Sequence, residues 1–284
     1  MIQVEDLKFS YPGADRPALS NVSFTVQAGE VFGLLGPSGA GKSTTQNVLI
    51  RLLRGYDGTV QIMQRSLDDW GAEYYRQIGV SFESPNHYLK LTARENLDYF
   101  RALYGRDTVS SVQMLQWVGL QDDIDRPVSD FSKGMKNRLN IARSLLHRPR
   151  LWFLDEPTAG LDPVNARRIQ DLIRSQQGEG TTVFLTTHNM QVAETLCDRV
   201  GFMIDGRLEL VDAPARLRQQ HGRREVEVAY GDTSTPTVAT FALDGLADNA
   251  EFCAALRRDD LLSLHSQETS LEDVFIRVTG RSLT

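Results

Sequence analysis

Residues 36–43 constrain the fold of this chain more than any other feature. They read G-P-S-G-A-G-K-S and match the pattern G-x-x-x-x-G-K-[ST] at every fixed position. Glycines at these positions let backbone N–H groups curl around phosphate oxygens, and Lys42 adds a compact positive charge beside them. Ser43 offers a hydroxyl to a magnesium ion that accompanies the phosphates. The run therefore predicts a phosphate-binding loop.

The residues on either side supply the context that such a loop needs. The apolar run V-F-G-L-L at residues 31–35 is typical of a buried strand. After the loop, Val48, Leu49, Leu52 and Leu53 recur at helical spacing. A helix that begins here would also direct its positive end at a phosphate. Strand, glycine-rich turn and helix in this order favour phosphate binding over an ordinary glycine-rich turn.

Strands and helices alternate along most of the chain. The first thirty residues alternate polar and apolar side chains, which predicts half-buried antiparallel strands. Apolar strands are expected at residues 151–154 and 182–187, and a helical pattern fills residues 91–146. Asp205-Gly206 suits the turn of a hairpin. These elements predict an α/β fold with a mostly parallel sheet and antiparallel additions at both ends.

Two adjacent carboxylates follow the strand at residues 151–154. The run L-W-F-L-D-E-P puts Asp155 and Glu156 at the carboxyl end of that strand, where parallel sheets bind ligands. We expect Asp155 to join the shell of a Mg²⁺ ion and Glu156 to polarise an attacking water. An Asp-Glu pair alone is more often a solvated turn. Its combination with the phosphate loop favours the functional interpretation.

Three further motifs follow in an order that resembles one family. The run F-S-K-G-M-K-N-R at residues 131–138 is similar to the signature loop, usually L-S-G-G-Q, of ATP-binding-cassette transporters. Ser132 and Gly134 keep that pattern, while Lys133 and Met135 depart from it. A-G-L-D-P resembles the family's D loop, and His188 occupies the place of its switch histidine. Residues 1–215 thus resemble the nucleotide-binding subunit of such a transporter.

The resemblance implies a P-loop NTPase core and an ATPase activity that depends on Mg²⁺. It also implies a head-to-tail homodimer, because the signature of one subunit contacts ATP bound by the other. Simpler interpretations are helix caps for Ser132 and Asp162 and an ordinary structural histidine for His188. On the resemblance, ATP is bound by Tyr11 (stacking on adenine), Gly36, Pro37, Ser38, Gly39, Ala40, Gly41, Lys42, Ser43, Thr44, Ser132, Gly134 and Asp162; Glu156 and His188 are catalytic; and Ser43, Glu83 and Asp155 hold the metal.

Glu83 departs from the family pattern at a predicted metal ligand. The run F-E-S-P-N aligns with the family's usual F-Q-D-P-N, so a carboxylate replaces an amide near the γ-phosphate. A carboxylate oxygen is a good ligand for Mg²⁺, and the metal would separate it from the phosphate. Alternatively, Glu83 faces the subunit interface and pairs with a basic residue there. The sequence leaves both hypotheses open.

The last part of the chain changes character. Residues 216–284 read as a small α+β accessory region beside a first domain at residues 1–215, which includes the helical subdomain at 91–146. The run S-L-E-D-V-F-I-R-V-T-G predicts a final helix capped by Ser270. It is also similar to the end of export ATPases of the daunorubicin-resistance type. That likeness implies export of a drug, an antibiotic or another small amphipathic compound.

Composition narrows the possible partners. The net charge of −6 argues against broad nucleic-acid binding, and no apolar run approaches the roughly 18 residues that span a bilayer. We therefore expect a cytoplasmic protein, and the resemblance implies that it reaches the membrane through a separate permease. Two other hypotheses remain at this point: a soluble cassette ATPase acting on ribosomes or DNA, and a regulatory module that binds nucleotide without hydrolysis.

Overall fold

The computed structural model describes residues 1–105, 107–222, 225–267 and 269–281. The chain divides into two compact units, Met1–Ala213 and a second unit that begins at Pro214. Every residue that was predicted to bind or hydrolyse nucleotide lies in the first unit.

The first unit combines two sheets with seven helices in its described residues. None of the helices in the described parts of the chain is both long enough and apolar enough to cross a bilayer.

The strands of the first unit are β1 (Ile2–Phe9), β2 (Leu19–Val26), β3 (Val31–Leu35), β4 (Asp57–Ile62), β5 (Arg65–Ser66), β6 (Ile78–Ser81), β7 (Leu151–Asp155), β8 (Thr182–Thr187), β9 (Arg199–Ile204) and β10 (Arg207–Asp212). Its helices are α1 (Lys42–Leu49), α2 (Tyr74–Gln77), α3 (Ala93–Tyr104), α4 (Ser111–Trp117), α5 (Lys133–Leu145), α6 (Pro163–Gly178) and α7 (Met190–Leu196).

The larger sheet has the strand order β10-β9-β3-β8-β7-β6. Its inner strands run parallel, and only β10 is antiparallel to its neighbour. Strands β3 and β8 are buried along their whole length, as expected for a parallel sheet covered on both faces. The carboxyl ends of β3, β7 and β8 therefore meet at one edge, where the phosphate loop, Asp155 and His188 follow them.

The smaller sheet is antiparallel, with the order β2-β1-β4-β5. Its buried side chains pack against the larger sheet around three phenylalanine rings. Phe24 stacks on Phe32 with ring centroids 5.3 Å apart, and Phe32 stacks on Phe184 at 5.9 Å. The predicted fold, a mostly parallel core with antiparallel strands at the beginning of the chain, is confirmed.

Helices α3, α4 and α5 form the predicted helical insertion. Each begins at a side chain that caps its first turn: Thr92, Ser110 and Ser132. Thr92 and Glu95 complete a capping box, which satisfies two backbone N–H groups that a helix start leaves free. These three helices lie within residues 91–146, where the sequence shows a helical pattern.

The helix after the phosphate loop is shorter than the sequence predicts. Helix α1 ends at Leu49, and Arg51 has a positive φ of 64°, which a continuing helix does not allow. Tyr74 donates its hydroxyl to the carbonyl of Leu49 at 2.7 Å and so satisfies a carbonyl at the helix end. Leu52, expected on the helix, lies beyond it with 60% of its surface exposed. Four apolar residues at helical spacing were too short a pattern to locate the helix end.

The second unit is a small α+β structure. Strands β11 (Glu225–Asp232), β12 (Thr235–Ala242) and β13 (Leu261–Gln267) form an antiparallel sheet with β11 in the centre. Its helices are α8 (Pro214–His221), α9 (Ala250–Leu256) and α10 (Leu271–Thr279). Ser270 and Asp273 form the capping box of α10, as the sequence predicts. Strand β12 and helix α9 were not predicted.

Candidate nucleotide-binding site

The phosphate loop connects β3 to α1 and depends on two crowded glycines. A Cβ atom on Gly36 would lie 2.1 Å from the carbonyl oxygen of Met203, so no other residue fits there. Gly41 has a φ of 106°, and a Cβ atom on it would lie 2.9 Å from the carbonyl oxygen of Ala18. Ser38 and Gly39 are exposed at the loop tip. The backbone is therefore curled with its tip open to solvent.

Lys42 lies inside this curl. Its ammonium donates to the carbonyl oxygens of Gly36 at 2.7 Å and Pro37 at 2.9 Å. Burial lowers the pKa of Lys42, while Glu156, Asp155 and Glu83 act to raise it. The lysine is thus a largely desolvated cation, and the three predicted site carboxylates are the anions that act on its pKa.

Asp155 ends β7 beside the start of α1. One of its oxygens, Oδ2, accepts from the Ser43 hydroxyl at 3.5 Å, and the other, Oδ1, accepts from the Thr186 hydroxyl. Burial raises the pKa of Asp155, the Thr186 hydrogen bond opposes this, and Glu156 and Glu83 raise it further. The two residues predicted to share a metal, Ser43 and Asp155, are brought together.

Glu156 is held on both of its oxygens. Oε1 accepts from Nδ1 of His188 at 2.7 Å and from the backbone N–H of His188 at 2.8 Å. Oε2 accepts from the Thr187 hydroxyl at 2.8 Å. Glu156 has a positive φ of 47°, a conformation that persists only where neighbours enforce it. Its side chain is 10% exposed and that of His188 is 59% exposed, so the pair lies at the surface edge of the site.

Glu83 lies on the loop that follows β6 and is exposed. It influences the pKa of both Lys42 and Asp155, so it belongs to the same charged cluster. Within the described residues, no ion pair or hydrogen bond of its carboxylate is found. Asn140 and Arg143 of α5 hold its loop instead, by donating to the carbonyls of Phe82 at 2.9 Å and Asn86 at 2.6 Å.

The signature residues begin α5 on a separate part of the unit. Ser132 caps the helix by accepting from the backbone N–H of Met135 at 3.2 Å. A Cβ atom on Gly134 would lie 3.1 Å from the carbonyl oxygen of Gly160, so α5 packs closely on the D loop. Asp162 caps α6, and the backbone N–H of Asn165 lowers the pKa of its carboxyl group. Among the described residues, no hydrogen bond joins Ser132 or Gly134 to the phosphate loop.

Tyr11 lies beside the phosphate loop. Its hydroxyl is 3.2 Å from the Thr44 hydroxyl, and its ring packs edge-on against Phe9 with centroids 5.0 Å apart. The residue is 42% exposed, so a face of the ring is open to solvent. Stacking on adenine stays a prediction.

Sequence reasoning missed two residues of the site, Thr186 and Thr187. Both end β8 and both donate to a predicted carboxylate. Threonine is common in strands because it is β-branched, so the T-T pair read as ordinary strand residues. The only available signal was its position next to His188.

The oxygen donors at this site suit Mg²⁺. The Ser43 hydroxyl and the Asp155 carboxylate are hard ligands, and the mutual repulsion of Asp155, Glu156 and Glu83 would be relieved by a cation. In the described residues, no group of three or more His, Cys, Asp or Glu side chains could hold a metal alone.

The fold and the site define a P-loop protein that binds a nucleotide beside a carboxylate pair. A family model described as ABC transporter matches residues 19–159. A second model, described as fluoroquinolone efflux ABC transporter C-terminal domain, matches residues 224–268. A fluoroquinolones export ATP-binding protein of Mycobacterium tuberculosis is 52% identical over 285 residues, which is 100% of this chain and 95% of that protein. The chain therefore belongs to the ABC transporter ATP-binding proteins.

Two more comparisons agree with this family. Nod factor export ATP-binding protein I of Rhizobium meliloti is 35% identical over 95% of this chain and 85% of its own length. An ATP-binding cassette solved as a dimer in a post-hydrolysis state with ADP and Pi superposes with a TM-score of 0.69. It is 27% identical and covers 75% of this chain and 98% of its own. The predicted family, fold and ATPase activity are confirmed.

Proposed function

We propose that this chain powers the export of fluoroquinolone-like or related amphipathic drugs through a separate permease. The observation that carries the choice of substrate is the match of residues 224–268 to a C-terminal domain described by fluoroquinolone efflux. The relative with 52% identity, which spans the whole chain, is named for the same export. The permease would also contribute to substrate selection, so we expect a class of related drugs and not a single compound.

Phosphate binding is assigned to the loop at residues 36–43 together with Thr44. Its backbone N–H groups surround the β- and γ-phosphates, and Lys42 exchanges its two loop carbonyls for phosphate oxygens. Ser43, Asp155 and Glu83 would hold Mg²⁺, which neutralises the charge that develops on the phosphates. The electrostatic influence of Glu83 on Asp155 supports its place in this group.

Hydrolysis is assigned to Glu156 and His188. Glu156 accepts a hydrogen bond from the attacking water and orients it, since a carboxylate is a suitable base at this position. His188 is bound to Glu156 through Nδ1, so its Nε2 is the nitrogen left to face the γ-phosphate. The exposed side chain of His188 supports this role, because a ligand can reach it.

Two copies of the chain would share their ATP sites. Ser132, Gly134 and Asp162 lie at exposed or half-buried positions and make no contact with their own phosphate loop among the described residues, which supports a role across a dimer interface. Tyr11 would stack on the adenine. The cassette that superposes on this unit is itself a dimer.

The permease would hold the protein at the cytoplasmic face of the membrane. The relatives named above are ATP-binding proteins for export, which supports this place over ribosomes or DNA. The net charge of −6 also disfavours a nucleic-acid partner.

The test is the substitution Glu156→Gln, which keeps the size of the side chain and one acceptor oxygen but removes the charge and the base. We expect ATP hydrolysis to fall at least about 100-fold and an ATP-bound dimer to accumulate, seen by size-exclusion chromatography. Glu179→Gln, an exposed change at the C-cap of α6, is the control and should hydrolyse ATP normally. For export, cells with this chain and its permease should accumulate less fluoroquinolone than cells with the Glu156→Gln chain. Equal accumulation would refute the substrate assignment alone.

A further inference from the structure

Two consecutive threonines end the central strand β8, and each serves a different carboxylate. Thr186 donates its hydroxyl to Oδ1 of Asp155, and Thr187 donates its hydroxyl to Oε2 of Glu156 at 2.8 Å. Thr186 is 0% exposed and Thr187 is 1% exposed, so water cannot replace either hydroxyl. Consecutive strand residues point to opposite faces, so the two hydrogen bonds diverge.

The backbone around both threonines fixes the direction of these hydrogen bonds. Asp155 and Thr186 are direct partners in the parallel register of β7 and β8. The backbone N–H of Asn189 donates to the Thr187 oxygen at 3.0 Å, which leaves the Thr187 hydrogen free to point at Glu156. The peptide N–H of Glu156 in turn donates to the carbonyl of Thr186 at 2.9 Å. Each threonine therefore directs its hydroxyl at a different carboxylate.

We propose that Thr186 and Thr187 are positioning residues that keep the metal-side carboxylate and the water-orienting carboxylate apart. Thr186 turns Asp155 toward Ser43, and Thr187 turns Glu156 toward His188. The inference rests on the proposed roles of Asp155 and Glu156.

The arrangement answers a physical difficulty of the site. Asp155 and Glu156 are adjacent anions beside the single cation Lys42, and either could rotate toward it. Glu156 also has a left-handed backbone, a conformation that contacts with its neighbours must maintain. A hydrogen bond from a buried hydroxyl to a carboxylate is among the stronger side-chain contacts. Without the Thr187 hydroxyl, Oε2 of Glu156 would keep no other hydrogen bond from the described residues.

The test compares Thr187→Val and Thr186→Val, which remove one hydroxyl each at nearly constant volume. For Thr187→Val we expect kcat to fall about tenfold or more, because a hydrogen bond to a charged group is lost, with little change in KM for ATP. Added Mg²⁺ should not restore it. For Thr186→Val we expect activity to fall at low Mg²⁺ and to recover largely as Mg²⁺ is raised. Binding of Mn²⁺ with ATP, followed by electron paramagnetic resonance, should weaken in Thr186→Val and not in Thr187→Val.

The matched variants Thr187→Ser and Thr186→Ser keep the hydroxyls and should retain most of the activity that the valine variants lose. A thermal unfolding measurement checks that each valine variant is folded. The proposal is overturned if Thr187→Val keeps kcat within about twofold of the native protein, or if both valine variants respond alike to Mg²⁺. It is also overturned if a serine variant behaves like its valine counterpart. Glu156→Gln separates this result from failure of the proposed function: if that variant hydrolyses ATP normally, the assigned role of Glu156 fails and the role of Thr187 fails with it.

Discussion

At the scale of single residues, the site is a small group of anions around one buried cation. Lys42 has two loop carbonyls as partners, while Asp155 and Glu156 each have a threonine hydroxyl. Glu83 differs from them, because it is exposed and no hydrogen bond of its carboxylate is found in the described chain. Of the three carboxylates it is therefore the one most accessible to a metal ion from solvent.

Glu83→Gln tests that sensitivity. Removing the charge eliminates repulsion of the phosphates but also replaces a carboxylate ligand with a weaker amide ligand. We expect metal-free ATP to bind roughly 3- to 10-fold more tightly and the half-saturating Mg²⁺ concentration for hydrolysis to rise by a similar factor. Titrations of ATP without Mg²⁺ and of Mg²⁺ at saturating ATP measure the two effects. Glu179→Gln, distant and exposed, serves as the control, and an identical Mg²⁺ titration for Glu83→Gln would exclude the metal-bridged carboxylate.

At the scale of elements, helix α5 connects the parts of the site that lie apart in sequence. Its first turn carries the signature residues, and Asn137 donates to the carbonyl of Ala159 in the D loop at 3.1 Å. Further along, Asn140 and Arg143 hold the loop of Glu83. A shift of α5 would therefore move the signature, the D loop and Glu83 together.

Asn140→Ala tests this connection. Asn140 is fully buried and donates to the Ser81 hydroxyl and the Phe82 carbonyl, both at 2.9 Å. Removing its amide leaves buried acceptors unpaired, so the free energy of unfolding should fall by about 2–3 kcal/mol, measured by urea denaturation. Gln116→Ala, an exposed amide on α4, should change stability by less than about 0.5 kcal/mol. A similar loss in both variants would mean that Asn140 does not anchor the Glu83 loop.

The elements also show which parts of the fold the sequence could predict. Strands β3, β7 and β8 were predictable because they are short runs with an apolar centre next to recognisable motifs. Strand β12 was not, because T-P-T-V-A-T-F-A contains a proline and buries almost nothing. The motifs located Asp155, Glu156 and His188, but their hydrogen bonds to Thr186 and Thr187 depend on strand register, which a single sequence does not contain.

At the scale of the whole molecule, the chain separates nucleotide chemistry from a second structural unit. Every assigned ATP and metal residue lies in Met1–Ala213, and that unit has its own two-sheet core. The second unit has a separate small core around Val226, Val228 and Ala255. A unit with its own core and a complete site should fold without the rest of the chain.

A chain that ends at Ala213 tests this independence. We expect it to fold cooperatively and to bind ATP within about threefold of the affinity of the full chain, because no assigned ligand is removed. Fluorescent-nucleotide titration measures the affinity, and circular dichroism on heating measures cooperativity. Lys42→Ala in the shortened chain should abolish ATP binding, which would show that the nucleotide binds at the phosphate loop. Loss of cooperative unfolding in the shortened chain would instead mean that the first unit depends on the second unit for its stability.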